Sequence, residues 1–164
     1  MIFRPIDKMK IKLTTDATIL DQCALLMSES EPWLTLKRDL KSCKEAMRGD
    51  HKEVYAMTDN SELVGFAVLQ MTGTFKGYIQ SILIRPGHRD KGWGSTLLKF
   101  CEERIFQLSP NVFMCVSEFN TEAARLYHKL GYVKVGDLKD FIVKGQSELL
   151  LRKSIGPLSE FKLK

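Results

Sequence analysis

The chain has 164 residues, 44% hydrophobic and 27% charged, with a formal net charge of +5. This is ordinary globular composition at single-domain length; it argues against intrinsic disorder, and such a chain buries roughly 70% of its unfolded surface without a metal or disulfide staple. No apolar run approaches the roughly eighteen residues of a membrane span, and no block of like charge marks a nucleic-acid tail, so neither partner is expected.

The opening segment, Met1 to Lys8, lacks the apolar stretch and small-residue cleavage site of a secretory leader, so the expected address is the cytoplasm. Met9 to Leu13 alternates lysine with apolar residues and reads as a half-buried strand. Asp16 or Thr18 caps a helix with Ile19, Leu20, Cys23, Ala24 and Met27 on one face, stopped at Ser28 to Pro32. Trp33 follows in the loop. Thr35 reads as the cap of a second helix carrying Leu36, Leu40, Cys43 and Met47, closed by Gly49-Asp50. Val54 to Met57 and Leu63 to Met71 read as strands joined by a hairpin-like connection, and Tyr78 to Ile84 as a further strand stopped by Pro86-Gly87. A helix from Gly92 places Leu97, Leu98, Cys101, Ile105 and Leu108 on one face. Val112 to Val116 is a buried strand. Asn120 or Thr121 caps a helix through Leu130, with Gly131 as its stop, and Tyr132 to Val135 and Glu148 to Arg152 are the final strands.

The resulting order, β-α-α-β-β-β-α-β-α-β-β, argues α+β rather than a doubly wound sheet, with a parallel pairing of Tyr78–Ile84 and Val112–Val116. The cysteines, Cys23, Cys43, Cys101 and Cys115, are too far apart for a zinc pair and are expected as buried free thiols. No metal site is expected.

The most informative stretch is Ile82-Leu83-Ile84-Arg85-Pro86-Gly87-His88-Arg89-Asp90-Lys91-Gly92-Trp93-Gly94-Ser95. A buried strand runs into a basic, glycine-rich turn and then a helix. That geometry gathers backbone N–H groups at a helix N-terminus, where an anion such as a pyrophosphate is favoured. A Walker loop fails because Trp93 stands where lysine is required, and a dinucleotide fingerprint fails because Leu97 takes the third glycine's place. What fits is Arg89-x-x-Gly92-x-Gly94, which resembles the acetyl-CoA pyrophosphate loop of the GNAT superfamily of N-acetyltransferases. A second block, Asn120-Thr121-Glu122-Ala123-Ala124-Arg125-Leu126-Tyr127-His128-Lys129-Leu130-Gly131-Tyr132, is similar to the same family's signature helix, one helix and one strand later. The resemblance spans about residues 9–153 of a single domain, 1–164, with short extensions at both ends.

The resemblance implies a mixed, mostly antiparallel sheet of six to seven strands, splayed at its central pair and flanked by about four helices. It also implies an acetyl-CoA-dependent N-acetyltransferase acting on a primary amine of a small molecule or protein, by direct attack while both substrates are bound. Relatives are often homodimers. The pantetheine would pair with the backbone of Ile82, Leu83 and Ile84. The pyrophosphate would rest on the N–H groups of Arg89, Asp90, Lys91, Gly92, Trp93, Gly94 and Ser95. The Arg89 side chain either assists or stabilises the turn. Asn120 touches the pantetheine, caps its helix, or does both. Tyr127 matches the family's general acid for the leaving thiolate, packing being its other reading. Where many relatives carry a glutamate on the central strand this chain has Gln80-Ser81, which cannot act as a base. Glu118 is the nearest carboxylate, as base or as solvated loop acid. Trp33 and Phe141 occupy positions where relatives build the acceptor wall. The missing glutamate also keeps open a second class, an inactive acyl-CoA-binding regulatory module.

Overall fold

A computed structural model describes residues 9–164. The opening segment, read as no secretory leader, lies outside them. The elements are β1 (Met9–Leu13), α1 (Ala17–Ser28), α2 (Leu40–Ala46), β2 (Lys52–Asp59), β3 (Glu62–Gln70), β4 (Tyr78–Ile84), α3 (Trp93–Ile105), β5 (Asn111–Ser117), α4 (Thr121–Lys129), β6 (Val133–Lys139) and β7 (Ser147–Ser154), then a short 3-10 turn, Leu158–Glu160. The seven strands form one sheet in the order β1-β2-β3-β4-β5-β7-β6. Every pairing is antiparallel except β4 with β5, which is parallel as its connection through α3 requires. Among the described residues no helix is long and apolar enough to cross a membrane.

The order matches the sequence reading; the boundaries differ where local chemistry decided otherwise. Thr35 does not cap the second helix. Residues 31–37 turn, Lys37 takes a left-handed φ of 55°, and the helix starts afresh with Asp39, whose carboxylate accepts from the Ser42 N–H at 2.8 Å. Leu36 is buried in that turn rather than on the helix. Helix α1 uses Asp16, which accepts from the Thr18 and Ile19 N–H groups. Strand β6 starts at Val133 and runs on to Lys139, because β7 pairs with it through Lys139↔Ser147.

The core lies on both faces of the sheet. Helix α3 contributes Leu97, Leu98, Cys101 and Ile105 to one cluster with Met57, Val64, Ile79 and Met114. Helices α1 and α2 bring Cys23, Ala24, Met27 and Cys43 against Val54, Phe66 and Leu83 on the other. Deleting a buried leucine such as Leu97 should cost about 2–5 kcal/mol. Cysteines 23, 43 and 101 are buried free thiols, as expected, whereas Cys115 is only half-buried.

Two features of β4 position the site. Its pairing with β5 covers only Tyr78↔Phe113 and Ile79↔Met114, and the strands then part. Their junction is held by Gly77, at φ 88°, where a Cβ would stand 2.6 Å from the Asn111 carbonyl oxygen. Beyond Ile79 the β5-facing edge of β4 is free of ladder bonds, so a wedge opens in the middle of the sheet. The second feature is a register shift against β3: Leu69 opposes Ile79 and Val68 opposes Ser81, leaving Gln80 as the extra residue of a bulge.

Candidate active site

One side of the wedge ends in the glycine turn. Gly87 (φ 90°), Asp90 (φ 61°) and Gly92 (φ 78°) bend the backbone into a concavity of the kind that binds anions. Gly92 is the N-cap of α3 in left-handed conformation and offers no side-chain cap, so the first N–H groups of α3 are left for another acceptor. The turn is tied down from below. Arg89 donates through Nε to the Ile84 carbonyl at 3.1 Å, and Arg85 donates through Nε to the Leu63 carbonyl at 2.9 Å. Arg89 is thus a turn-stabilising residue whose remaining guanidinium donors stay available. The His88 ring stacks on Trp93 with centroids 5.5 Å apart, and Lys91 Nζ lies 5.4 Å from the same indole. His88 is half-buried in this stack. Its Nδ1 is the one sealed side-chain nitrogen or oxygen without a partner among the described residues. Basic side chains and free N–H groups suit a polyphosphate.

Helix α4 flanks the wedge. Asn120 accepts from the Ala123 N–H at 3.4 Å, a long cap bond, and Gly131 closes the helix at φ 95°. Tyr127 packs edge-to-face on Tyr132, centroids 6.0 Å apart, and its hydroxyl makes no hydrogen bond among the described residues. Burial pushes the Tyr127 phenol up to about 12, so it holds its proton at neutral pH. Tyr132 is anchored in turn: its hydroxyl donates to Glu102 Oε1 at 2.9 Å, and Lys153 Nζ donates to Glu102 Oε2 at 3.0 Å. Arg125 and Lys129 are exposed.

The other side of the wedge opens on a cavity of about 450 Å³. Trp33, from the α1–α2 connection, and Phe141, from the β6–β7 loop, both line it; the fold thus brings together two residues distant in sequence. Tyr78, Gln80 and Ser81 form its floor. The bulge explains how Gln80 and Ser81, adjacent in sequence, both reach it. Gln80 is fixed there by its Nε2, which donates to the Ala46 carbonyl at 3.2 Å.

Glu118 sits exposed one residue beyond β5, with its backbone N–H on the Ser147 carbonyl, and is not part of the cavity wall. A different carboxyl went unread in the sequence. Glu148 pairs with Ser117 across β5 and β7, is only 4% exposed, and accepts from the Ser117 hydroxyl at 2.6 Å. Leu149 and Leu151 face the α3–α4 core, so Glu148 points to the opposite face, the cavity's face, with Cys115 and Ser117. Burial pushes its carboxyl above the ordinary glutamate value, against the lowering effect of the Ser117 hydrogen bond. Arg38 and Lys52, also unread, line the cavity. Among the described residues no group of three or more His, Cys, Asp or Glu side chains is gathered as for a metal ion.

Residues 19–132 match the model of the acetyltransferase (GNAT) family. Solved structures share the fold. Aminoglycoside 6'-acetyltransferase type Ii superposes with TM-score 0.71 at 21% identity, over 90% of this chain and 98% of that one. The ribosomal-protein-S18-alanine N-acetyltransferase from Escherichia coli gives 0.70 at 17%, over 93% and 97%. A variant of spermidine N-acetyltransferase from Vibrio cholerae gives 0.68 at 18%, over 90% and 94%. No curated protein sequence matches significantly. The split sheet, the glycine turn and the signature helix are therefore those of a known enzyme class: the chain belongs to the GNAT acetyltransferase family and is an acetyl-transferring enzyme.

Proposed function

We propose that this chain, as one catalytic domain, transfers the acetyl group of acetyl-CoA to a primary amine by direct attack while both substrates are bound. The observation that carries the reading is the wedge between β4 and β5, with a glycine turn suited to an anion at one side and an aromatic-lined cavity at the other. On this reading the N–H groups from Arg89 to Ser95 hold the pyrophosphate. The unpaired edge of Ile82, Leu83 and Ile84 holds the pantetheine as a short added strand. Asn120, at the head of α4, stands beside it. Trp33 and Phe141 hold the acceptor.

In the chemical step the amine nitrogen bonds to the acetyl carbon and the carbon–sulfur bond breaks. A backbone N–H near Leu83 stabilises the developing oxyanion. Tyr127 gives its proton to the leaving sulfur and regains one from the nitrogen. A raised tyrosine is a weaker acid than a free phenol, but the thiolate is desolvated by the same burial, so the two rise together. An amine with pKa near 10.4 arrives protonated and must first lose a proton. Glu148 takes it, through the Ser117 hydroxyl or a water, because it lies on the acceptor face and burial favours its protonated form. Glu118, the exposed carboxyl at the same strand end, is the comparison.

Thiol release measured across a matrix of acetyl-CoA and amine concentrations tests this. Intersecting double-reciprocal lines are expected. Parallel lines, or thiol release without any amine, would refute direct attack in favour of an acyl-enzyme. Glu148→Gln should lower kcat/KM at neutral pH by about 10²-fold or more, and more than Glu118→Gln does. The reverse ranking would move the role to Glu118.

A further inference from the structure

The cavity on the acceptor side has a polarity that amine binding alone does not call for. Its apolar wall is Met27, Trp33, Phe141 and Ile142. Its charged groups are Arg38 and Lys52 against one carboxylate, the exposed Glu45. Neither cation makes a salt bridge among the described residues, whereas Arg104 and Lys153, outside the cavity, are each paired with a glutamate. Lys52 Nζ is held in place by the Ala46 carbonyl at 3.1 Å, the same oxygen that receives Gln80 Nε2 at 3.2 Å. The ammonium and the Gln80 amide therefore lie within two hydrogen-bond lengths of each other, at the floor of the cavity. Two of the ammonium's three donors are left over. Burial and the nearby Arg38 charge both push Lys52 below its ordinary value.

We propose that the acceptor carries an oxyanion, a carboxylate or a phosphate, at the end remote from its reacting amine, and that Arg38 and Lys52 bind that group. The inference rests on the acetyl-transfer reading and adds the substrate class. Arg38 supplies a planar fork suited to two oxygens, and Lys52 a point charge beside it. The apolar wall lowers the local polarity beside both contacts and strengthens them. The same pair repels a polyamine, whose second ammonium would meet like charge. Gln80 precedes Leu83 by three strand positions, on the order of 10 Å at about 3.3 Å per residue. The amine and the oxyanion therefore belong at opposite ends of an extended chain, not on neighbouring atoms as in an α-amino acid.

The test uses the full chain with saturating acetyl-CoA and four acceptors: 6-aminohexanoate, its carboxamide, an aminoalkyl phosphate of similar length, and 1,6-diaminohexane. Glycine is the short comparator. One of the two oxyanion acceptors should exceed the carboxamide and the diamine in kcat/KM by at least tenfold, and exceed glycine as well. Which one leads distinguishes carboxylate from phosphate. In Arg38→Ala the ratio of oxyanion to carboxamide acceptor should fall toward unity, mainly through KM, and Arg38→Lys should restore part of it. Preference for the diamine, or an equal loss for both acceptors in Arg38→Ala, would overturn the proposal. Calorimetry with 6-acetamidohexanoate and with an acetamidoalkyl phosphate, in the presence of CoA, reads binding without turnover. Binding of either that Arg38→Ala weakens supports the proposal even if no acceptor reacts, a result that would sink the acetyl-transfer reading instead. Binding of neither overturns the oxyanion site while leaving acetyl transfer to other amines intact.

Discussion

Replacing Tyr127 by phenylalanine separates chemistry from architecture. The hydroxyl makes no hydrogen bond among the described residues, and the ring keeps its edge-to-face contact with Tyr132 in either form. Removing one unbonded oxygen from a half-buried ring should change stability by no more than about 0.5 kcal/mol. The rate should fall far more, because positioned proton transfer contributes about 10²–10⁴-fold, or roughly 2.7–5.5 kcal/mol of barrier. Acetyl-CoA affinity should stay within about threefold, since the phenol acts only as sulfur leaves. The pH dependence adds a second reading. With the phenol pushed up to about 12, its acid form persists through the alkaline range, and activity should be lost only as pH rises through that value. The wild-type kcat profile should therefore show no descending limb from Tyr127 below about pH 10. Thiol release gives kcat and calorimetry gives the dissociation constant. A proportional loss of both, or a kcat reduced less than about threefold, would refute the assignment.

Gly92→Ala should cost about 1–2 kcal/mol, because φ 78° disfavours any side chain although space is open, and should weaken acetyl-CoA binding. Gly73→Ala, at φ 84° in the β3–β4 connection, imposes the same strain away from the turn and should leave affinity unchanged. Glu53 makes a two-bond pair with Arg104 at 2.6 and 2.9 Å and accepts from the Tyr55 hydroxyl. Burial pushes its carboxyl up, but these partners together outweigh burial and hold it below the ordinary 4.5. A depressed carboxyl stabilises the fold above its unfolded value and loses that contribution as pH falls through the folded one. Melting temperature should therefore drop below about pH 4.5, less steeply in Glu53→Gln; an unchanged slope would remove Glu53 from the account.

Element order was legible where periodicity matched burial, as in α1, α3, β3 and β5. Asp16 and Asn120 declare their helices by cap chemistry, and the turn from Arg85 to Gly94 declares its own by glycine placement. The start of the second helix was not legible. Leu36, Leu40, Cys43 and Met47 keep helical spacing straight through Lys37, whose left-handed backbone nothing in its side chain announces. The end of β6 was hidden because Val133 and Val135 are exposed, so its pattern follows pairing with β7 rather than burial. For the site, Trp33 and Phe141 were readable one at a time; their meeting depends on two loops far apart in the chain, the α1–α2 and β6–β7 connections. Arg38 and Lys52 look like solvated lysines and arginines anywhere. Glu148 looks like a polar strand start, until register places it across from Ser117.

Acetyl-CoA as the ligand of the glycine turn and the split sheet is the premise on which the mechanism rests first. Melting temperature measured with acetyl-CoA, ATP and NAD, each in large excess, tests it most directly. A ligand at a hundredfold its dissociation constant stabilises by about 2.7 kcal/mol, which for a chain of this size raises the midpoint by about 5–10 °C. A rise of that order with acetyl-CoA, and not with the other two, is the predicted result. An equal rise with ATP or NAD, or none with acetyl-CoA, would contradict the assignment of the turn and the mechanism built on it.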